Sequence, residues 1–150
     1  MHMRTLKPIL LIEDDSVDAM TVKRALRDLH ITNDLVHAVN GEDAIKYLTD
    51  PEKEKPFLVL LDLNMPKMNG VEFLKAIKTK TNLKTIPVIV FTTSKEKQDI
   101  VESFQLGAGG YMTKPVDYTK FVDVINTVIL YWNTSELPAI ENLIINHEIH

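Results

Sequence analysis

Three short apolar runs, each ending on residues able to bind or react, constrain this chain more than anything else in it. Ile9-Leu10-Leu11-Ile12 stops at Glu13-Asp14-Asp15, Phe57–Leu61 stops at Asp62, and Val88–Phe91 stops at Thr92-Thr93-Ser94. Runs this short and this uniformly apolar read as strands buried on both faces. Such strands need helices above and below them, so the pattern predicts an α/β domain with a parallel sheet.

The intervening segments fit that expectation. A helix is predicted from about Ser16 to His30, with Val17, Met20, Leu26 and Leu29 near helical spacing and Asp15 or Ser16 as its cap. Leu35–Val39 reads as a second strand, and Asn40-Gly41 turns into a helix through Leu48. Pro51–Pro56 is a charged loop, and Asn64–Gly70 is a loop broken by Pro66 and Gly70. Helices follow at Val71–Lys80, Ile100–Leu106 and Asp117–Tyr131, with a short strand at Gly110–Met112. Five strands thus alternate with five helices, and right-handed crossovers distribute the helices over both faces.

In sheets of this kind ligands sit beyond the carboxyl ends of the strands. Glu13, Asp14, Asp62 and Thr92 stand at those ends, and Lys114 follows the fifth strand. A single acid after a strand is ordinarily a helix cap or a solvated turn. Here acids at two strand ends, a hydroxyl at a third and a cation after the fifth converge on one rim. Two unit charges ~4 Å apart interact by ~4 kcal/mol at an effective dielectric near ~20, so three clustered carboxylates repel by on the order of 10 kcal/mol. Either a carboxyl holds its proton or a cation enters. Oxygen-only ligands favour Mg²⁺ over zinc, and the five histidines show no metal-ligand spacing.

Composition removes several alternatives. A net charge of -4 disfavours a nucleic-acid surface. With no cysteine, neither disulfides nor thiol chemistry can be argued. No apolar run approaches the ~18 residues of a membrane helix, and no secretory signal opens the chain, so a cytoplasmic protein is expected. At 150 residues there is room for one ordinary domain. A flavodoxin-like cofactor binder would need a Gly- or Ser/Thr-rich phosphate loop after strand one, where Glu13-Asp14-Asp15 would instead repel a phosphate. An aspartyl-nucleophile phosphatase would want a second acid two residues after Asp62, where Asn64 stands.

Four motifs carry a family resemblance: ILLIEDD (Ile9–Asp15), LDLNMPKMNG (Leu61–Gly70), VIVFTTS (Val88–Ser94) and GAGGYMTKP (Gly107–Pro115). Over roughly Lys7–Tyr131 the chain resembles the receiver domains of two-component response regulators. The resemblance implies a doubly wound, flavodoxin-like five-stranded sheet in the order 2-1-3-4-5. It implies Glu13 and Asp14 as metal acids, Asp62 as phosphoacceptor and metal ligand, and Asn64 offering its backbone carbonyl to Mg²⁺. Thr92 would bond the phosphoryl group and Lys114 would pair with it, across a cis Lys114–Pro115 peptide. Thr92 and Tyr111 would form a switch read on the surface of the fourth helix, fifth strand and fifth helix. A phosphoacceptor rather than an enzyme is implied, with Mg²⁺-dependent self-phosphorylation and slow autodephosphorylation. Glu13 stands where many receivers have Asp, which keeps the charge. Thr93 is bulkier than the Ala or Gly common there, which would slow water's approach. A pseudo-receiver would lack an acid or the lysine, and here none is missing.

With residues 7–131 as receiver, residues 132–150 form a C-terminal extension too short for an effector domain, so a single-domain response regulator is expected. LYWNTSELP (Leu130–Pro138) resembles the end of receivers associated with phytochrome-type sensor kinases, making such a histidine kinase the implied phosphodonor. In the extension, Ile140, Leu143 and Ile144 fall at helical spacing, with Tyr131, Trp132 and Leu137 adding apolar area before them. A symmetric homodimer through this extension and the fourth helix, fifth strand and fifth helix is therefore expected.

Overall fold

The computed structural model describes residues 7–134. The expectations for Leu137, Ile140, Leu143 and Ile144 lie outside the described residues. The elements run β1 (Ile9–Ile12), α1 (Ser16–Asp28), β2 (Leu35–Ala38), α2 (Gly41–Thr49), β3 (Leu58–Leu61), α3 (Gly70–Lys78), β4 (Val88–Thr92), α4 (Lys97–Gln105), β5 (Gly110–Thr113) and α5 (Tyr118–Thr134).

All five strands pair in parallel, in the order β2-β1-β3-β4-β5. Side-chain chemistry matches each strand to its place. The uniformly apolar β1 and β3, and β4, apolar up to its last residue Thr92, are buried along their whole length and occupy the centre. The mixed sequences LVHA and GYMT are only partly buried and form the two edges, as expected where one side of a strand meets no neighbour.

Alternation along each central strand divides the core into two layers. Leu10, Ile12, Val59, Leu61, Val88 and Val90 face α2 and α3, where Leu48, Phe73, Leu74 and Ile77 cover them. Ile9, Leu11, Leu58, Leu60, Ile89 and Phe91 face α1 and α5, meeting Val22, Leu26, Phe121, Ile125 and Ile129. The Phe91 and Phe121 rings pack with centroids 5.1 Å apart. Among the described residues no helix is long and apolar enough to cross a membrane.

Helix α1 departs from the expected apolar face. Val17 and Met20 are 69% and 66% exposed, and Ala19, Val22, Ala25 and Leu26 form the buried side. Small alanines at two of these positions let the helix approach the sheet closely, so the larger apolar residues were the weaker guide. Asp15 is the cap, its carboxylate accepting from the Val17 and Asp18 amides. Asn40 caps α2, and Asn69 with Glu72 forms a capping box on α3. Helix α4 begins at Lys97, earlier than the apolar spacing indicated, and has no side-chain cap. Its turn ends at Gly107, whose φ of 97° is open to glycine without steric cost.

Candidate functional site

The ladder hydrogen bonds continue one residue past the strands and fix the backbone of the rim. The Glu13 amide donates to the Ala38 carbonyl (3.0 Å), Asp62 to Ile12 (3.0 Å) and Lys114 to Thr92 (2.8 Å). His37 on the edge strand adds a bond of 2.6 Å between its Nε2 and the Glu13 carbonyl. A carbonyl only accepts, so Nε2 carries the proton there. Three acids, a hydroxyl and an ammonium are thereby brought together from four separate parts of the chain.

Glu13, Asp14 and Asp62 each place a carboxylate oxygen within 4.8 Å of the others. Glu13 and Asp62 are buried and Asp14 is exposed, which leaves the cluster open on one side. The set is all oxygen and carries up to three negative charges, matching a hard divalent cation. Asn64 is exposed beside it, its amide 3.5 Å from Asp62 Oδ1. Thr92 is fully buried at the end of β4, and its Oγ1 accepts from the Ser94 amide at 3.4 Å. Tyr111 is half-buried on β5 and donates to the Ser94 carbonyl at 2.9 Å.

Lys114 reaches across this rim with a side chain only 7% exposed. Its Nζ lies 2.5 Å from Glu13 Oε1, 2.8 Å from Asp18 Oδ2 and 3.8 Å from Asp62 Oδ2. Burial works against the ammonium, but its hydrogen bonds to Asp18 and Glu13 and the charge of Asp62 outweigh it, so its pKa stands above the ordinary lysine value. Glu13 moves the other way from a typical carboxylate. Burial, opposed by the Lys114 hydrogen bond and reinforced by the Asp62 charge, pushes its pKa up to about 7. The repulsion anticipated from the sequence is thus relieved partly by Lys114 and partly by a carboxyl that readily holds a proton.

Two features differ from the sequence expectation. The Lys114–Pro115 bond is trans, since no peptide bond among the described residues is cis. Trans is the cheaper X–Pro isomer by ~0.5–1 kcal/mol, and the trans backbone already delivers Nζ to the carboxylates. The second is Asp18, a first-turn acid of α1 that the sequence reading does not include in the site. Its only signal was position, one helical turn beyond the acids that end β1.

A family model described as response regulator receiver domain matches residues 9–126. The chain belongs to this family. The receiver domain is 35% identical to response regulator Rcp1 of Synechocystis sp. (strain ATCC 27184 / PCC 6803 / Kazusa), over 89% of this chain and 94% of that protein. Its fold matches the crystal structure of the phosphorylated cyanobacterial phytochrome response regulator RcpA with a TM-score of 0.82 and 33% identity, covering 89% of this chain and 99% of that one. It matches the Mn²⁺-bound form of response regulator Rcp1 with a TM-score of 0.80 and 35% identity, covering 89% and 99%. The receiver is a phosphoacceptor of two-component signalling, and its acidic cluster fits the divalent-metal binding of receiver domains.

Proposed function

We propose that Asp62 accepts the phosphoryl group, with Mg²⁺ held by Glu13, Asp14, Asp62 and the Asn64 carbonyl. The observation that carries this reading is the meeting of three carboxylates within 4.8 Å beside a buried ammonium. Phosphoryl transfer asks the protein for alignment and charge neutralisation more than for covalent help. An Asp62 carboxylate oxygen would form the new O–P bond as the P–N bond of a phosphohistidine breaks, its electron pair leaving with the imidazole. Mg²⁺, when bound, would offset charge on the phosphoryl oxygens. Lys114 would supply the protein's own cation, and Thr92 would donate its hydroxyl to a phosphoryl oxygen. Movement of Thr92 would then release Tyr111 and change the α4–β5–α5 surface.

The donor we propose is a histidine kinase of the phytochrome type, a reading supported by the likeness to phytochrome response regulators. Self-association is proposed through α4, β5 and α5, where Val101, Phe104, Leu130 and Tyr131 are exposed apolar residues. The deciding experiment labels the protein with acetyl phosphate and Mg²⁺. Asp62→Asn is expected to remove all labelling with the fold intact, and Asp14→Ala to weaken Mg²⁺ binding in a calorimetric titration. Full labelling of Asp62→Asn would sink the assignment.

A further inference from the structure

We propose that Asp18 is a positioning residue that parks the Lys114 ammonium away from Asp62, and so sets how readily the phosphoryl-bound state forms. The proposal rests on Asp62 being the acceptor. Lys114 has three N–H donors. Two are directed at Glu13 Oε1 and Asp18 Oδ2, at 2.5 and 2.8 Å. Asp62 Oδ2, at 3.8 Å, lies beyond hydrogen-bond reach. The ammonium is therefore engaged on the α1 side of the pocket.

Asp18 cannot follow the lysine if it moves. It sits in the first turn of α1, which Asp15 caps and whose Ala19, Val22, Ala25 and Leu26 are buried against the sheet. Farther along, the same helix is tied to the start of α5. Tyr118 donates to Asp28 Oδ2 at 2.7 Å, and the Arg24 guanidinium lies 4.1 Å above the Tyr118 ring. The anchors on α1 and α5 thus bracket the segment that carries Lys114.

A phosphoryl group on Asp62 would draw Nζ toward it and away from one of its two present partners. Glu13 is 3% exposed and would be left poorly solvated. Asp18 is 38% exposed and opens on a cleft of about 430 Å³ between α1 and the β5–α5 connection, so water replaces the lysine there at less cost than at Glu13. Asp18 is the contact given up, and its loss opposes the phosphoryl-bound state. For an ion pair with one partner this exposed, the effect corresponds to about fivefold in an equilibrium constant.

The test is a titration of beryllofluoride with Mg²⁺ present, followed by calorimetry. Asp18→Asn should bind about fivefold more tightly than the natural chain, while Asp18→Glu, which restores an anion, should return toward natural affinity. In a Lys114→Met background the gain from Asp18→Asn should vanish, because there is no ammonium left to release. Unchanged or weaker binding by Asp18→Asn overturns the proposal. So does a gain that persists without Lys114, which would mean through-space charge alone. A crystal structure of Asp18→Asn without any phosphoryl mimic gives a separate decision. Nζ should move to within hydrogen-bond distance of Asp62, and a separation still near 3.8 Å rejects the parking role. If the natural chain binds no beryllofluoride, the acceptor reading fails, whereas this crystallographic arm still judges Asp18.

Discussion

The Tyr111 hydroxyl donates to the Ser94 carbonyl at 2.9 Å, joining edge strand β5 to the connection between β4 and α4 through a side chain. Ser94 is itself a junction: its amide reaches Thr92 Oγ1 at 3.4 Å and its Oγ donates to Asp99 Oδ2 at 2.6 Å. A line of hydrogen bonds therefore runs from the buried rim hydroxyl to the first turn of α4. Burial raises the Tyr111 pKa, so the hydroxyl remains a donor at neutral pH. Tyr111→Phe should cost about 1 kcal/mol in urea unfolding and increase amide exchange over Ser94–Lys97. Labelling by acetyl phosphate should persist, because the acceptor pocket is untouched.

A second prediction concerns pH. Glu13 has an ordinary carboxylate pKa when unfolded and one near 7 in the folded domain. Folding therefore takes up a proton between those values. The stability that accompanies this uptake is complete below about pH 4.5 and is lost as pH rises through about 7. The charged groups facing Glu13 are Lys114, Asp62 and Asp14, with His37 bonded to its carbonyl. In chelator, melting curves should fall with pH across this window with a slope of at most about 1.4 kcal/mol per unit. Glu13→Gln should flatten that slope. Added Mg²⁺ should oppose the fall above pH 7, since ligation needs the ionised carboxylate. A slope identical in Glu13→Gln would assign the titration to another group.

Much of this architecture was legible because the central strands have little choice. Ile9–Ile12, Phe57–Leu61 and Val88–Phe91 are apolar without alternation, which suits only strands covered on both faces, and their ends carry the chemistry. The helices were less legible where burial falls on small residues. Val17 and Met20 suggested one face of α1, while Ala19 and Ala25 mark the buried one. In α4 the fully buried residue is a serine, so apolar spacing misplaced its start. The Asp18 contact was invisible for a different reason. It depends on Lys114 crossing from β5 to α1, a meeting of residues separated by 96 positions that no local pattern encodes.

Ser103 supplies the third prediction. It is fully buried on α4, and its Oγ has no hydrogen-bond partner among the described residues. A desolvated, unpaired hydroxyl costs roughly 1–3 kcal/mol relative to a satisfied one. Ser103→Ala removes the hydroxyl with almost no change in volume. It should raise stability by about 1 kcal/mol, measured as a shift in the urea midpoint at constant m-value. Because α4 has no side-chain cap, slower amide exchange should be concentrated in this helix. A loss of stability would mean that the hydroxyl is satisfied in solution.

The last prediction separates two glycines that sequence alone treats alike. Gly70 opens α3 directly beneath the acceptor loop. A Cβ there would lie 2.7 Å from the Asp62 carbonyl oxygen and 2.7 Å from Leu63 Cα, both backbone atoms that cannot swing aside. Its amide also donates to the Leu63 carbonyl at 3.1 Å, binding the helix start to that loop. Gly107 has the opposite character: its φ is 97°, yet nothing among the described residues lies within 4 Å of where a methyl group would sit. Gly107→Ala should therefore cost only the backbone term, about 1 kcal/mol, and leave phosphorylation intact. Gly70→Ala should cost more, roughly 2–4 kcal/mol, because the loop after β3 must shift. It should also slow acetyl phosphate labelling at Asp62 even at temperatures where the variant remains folded by circular dichroism. Equal losses in the two variants, or normal labelling of Gly70→Ala, would show that this close approach does not hold the acceptor in place.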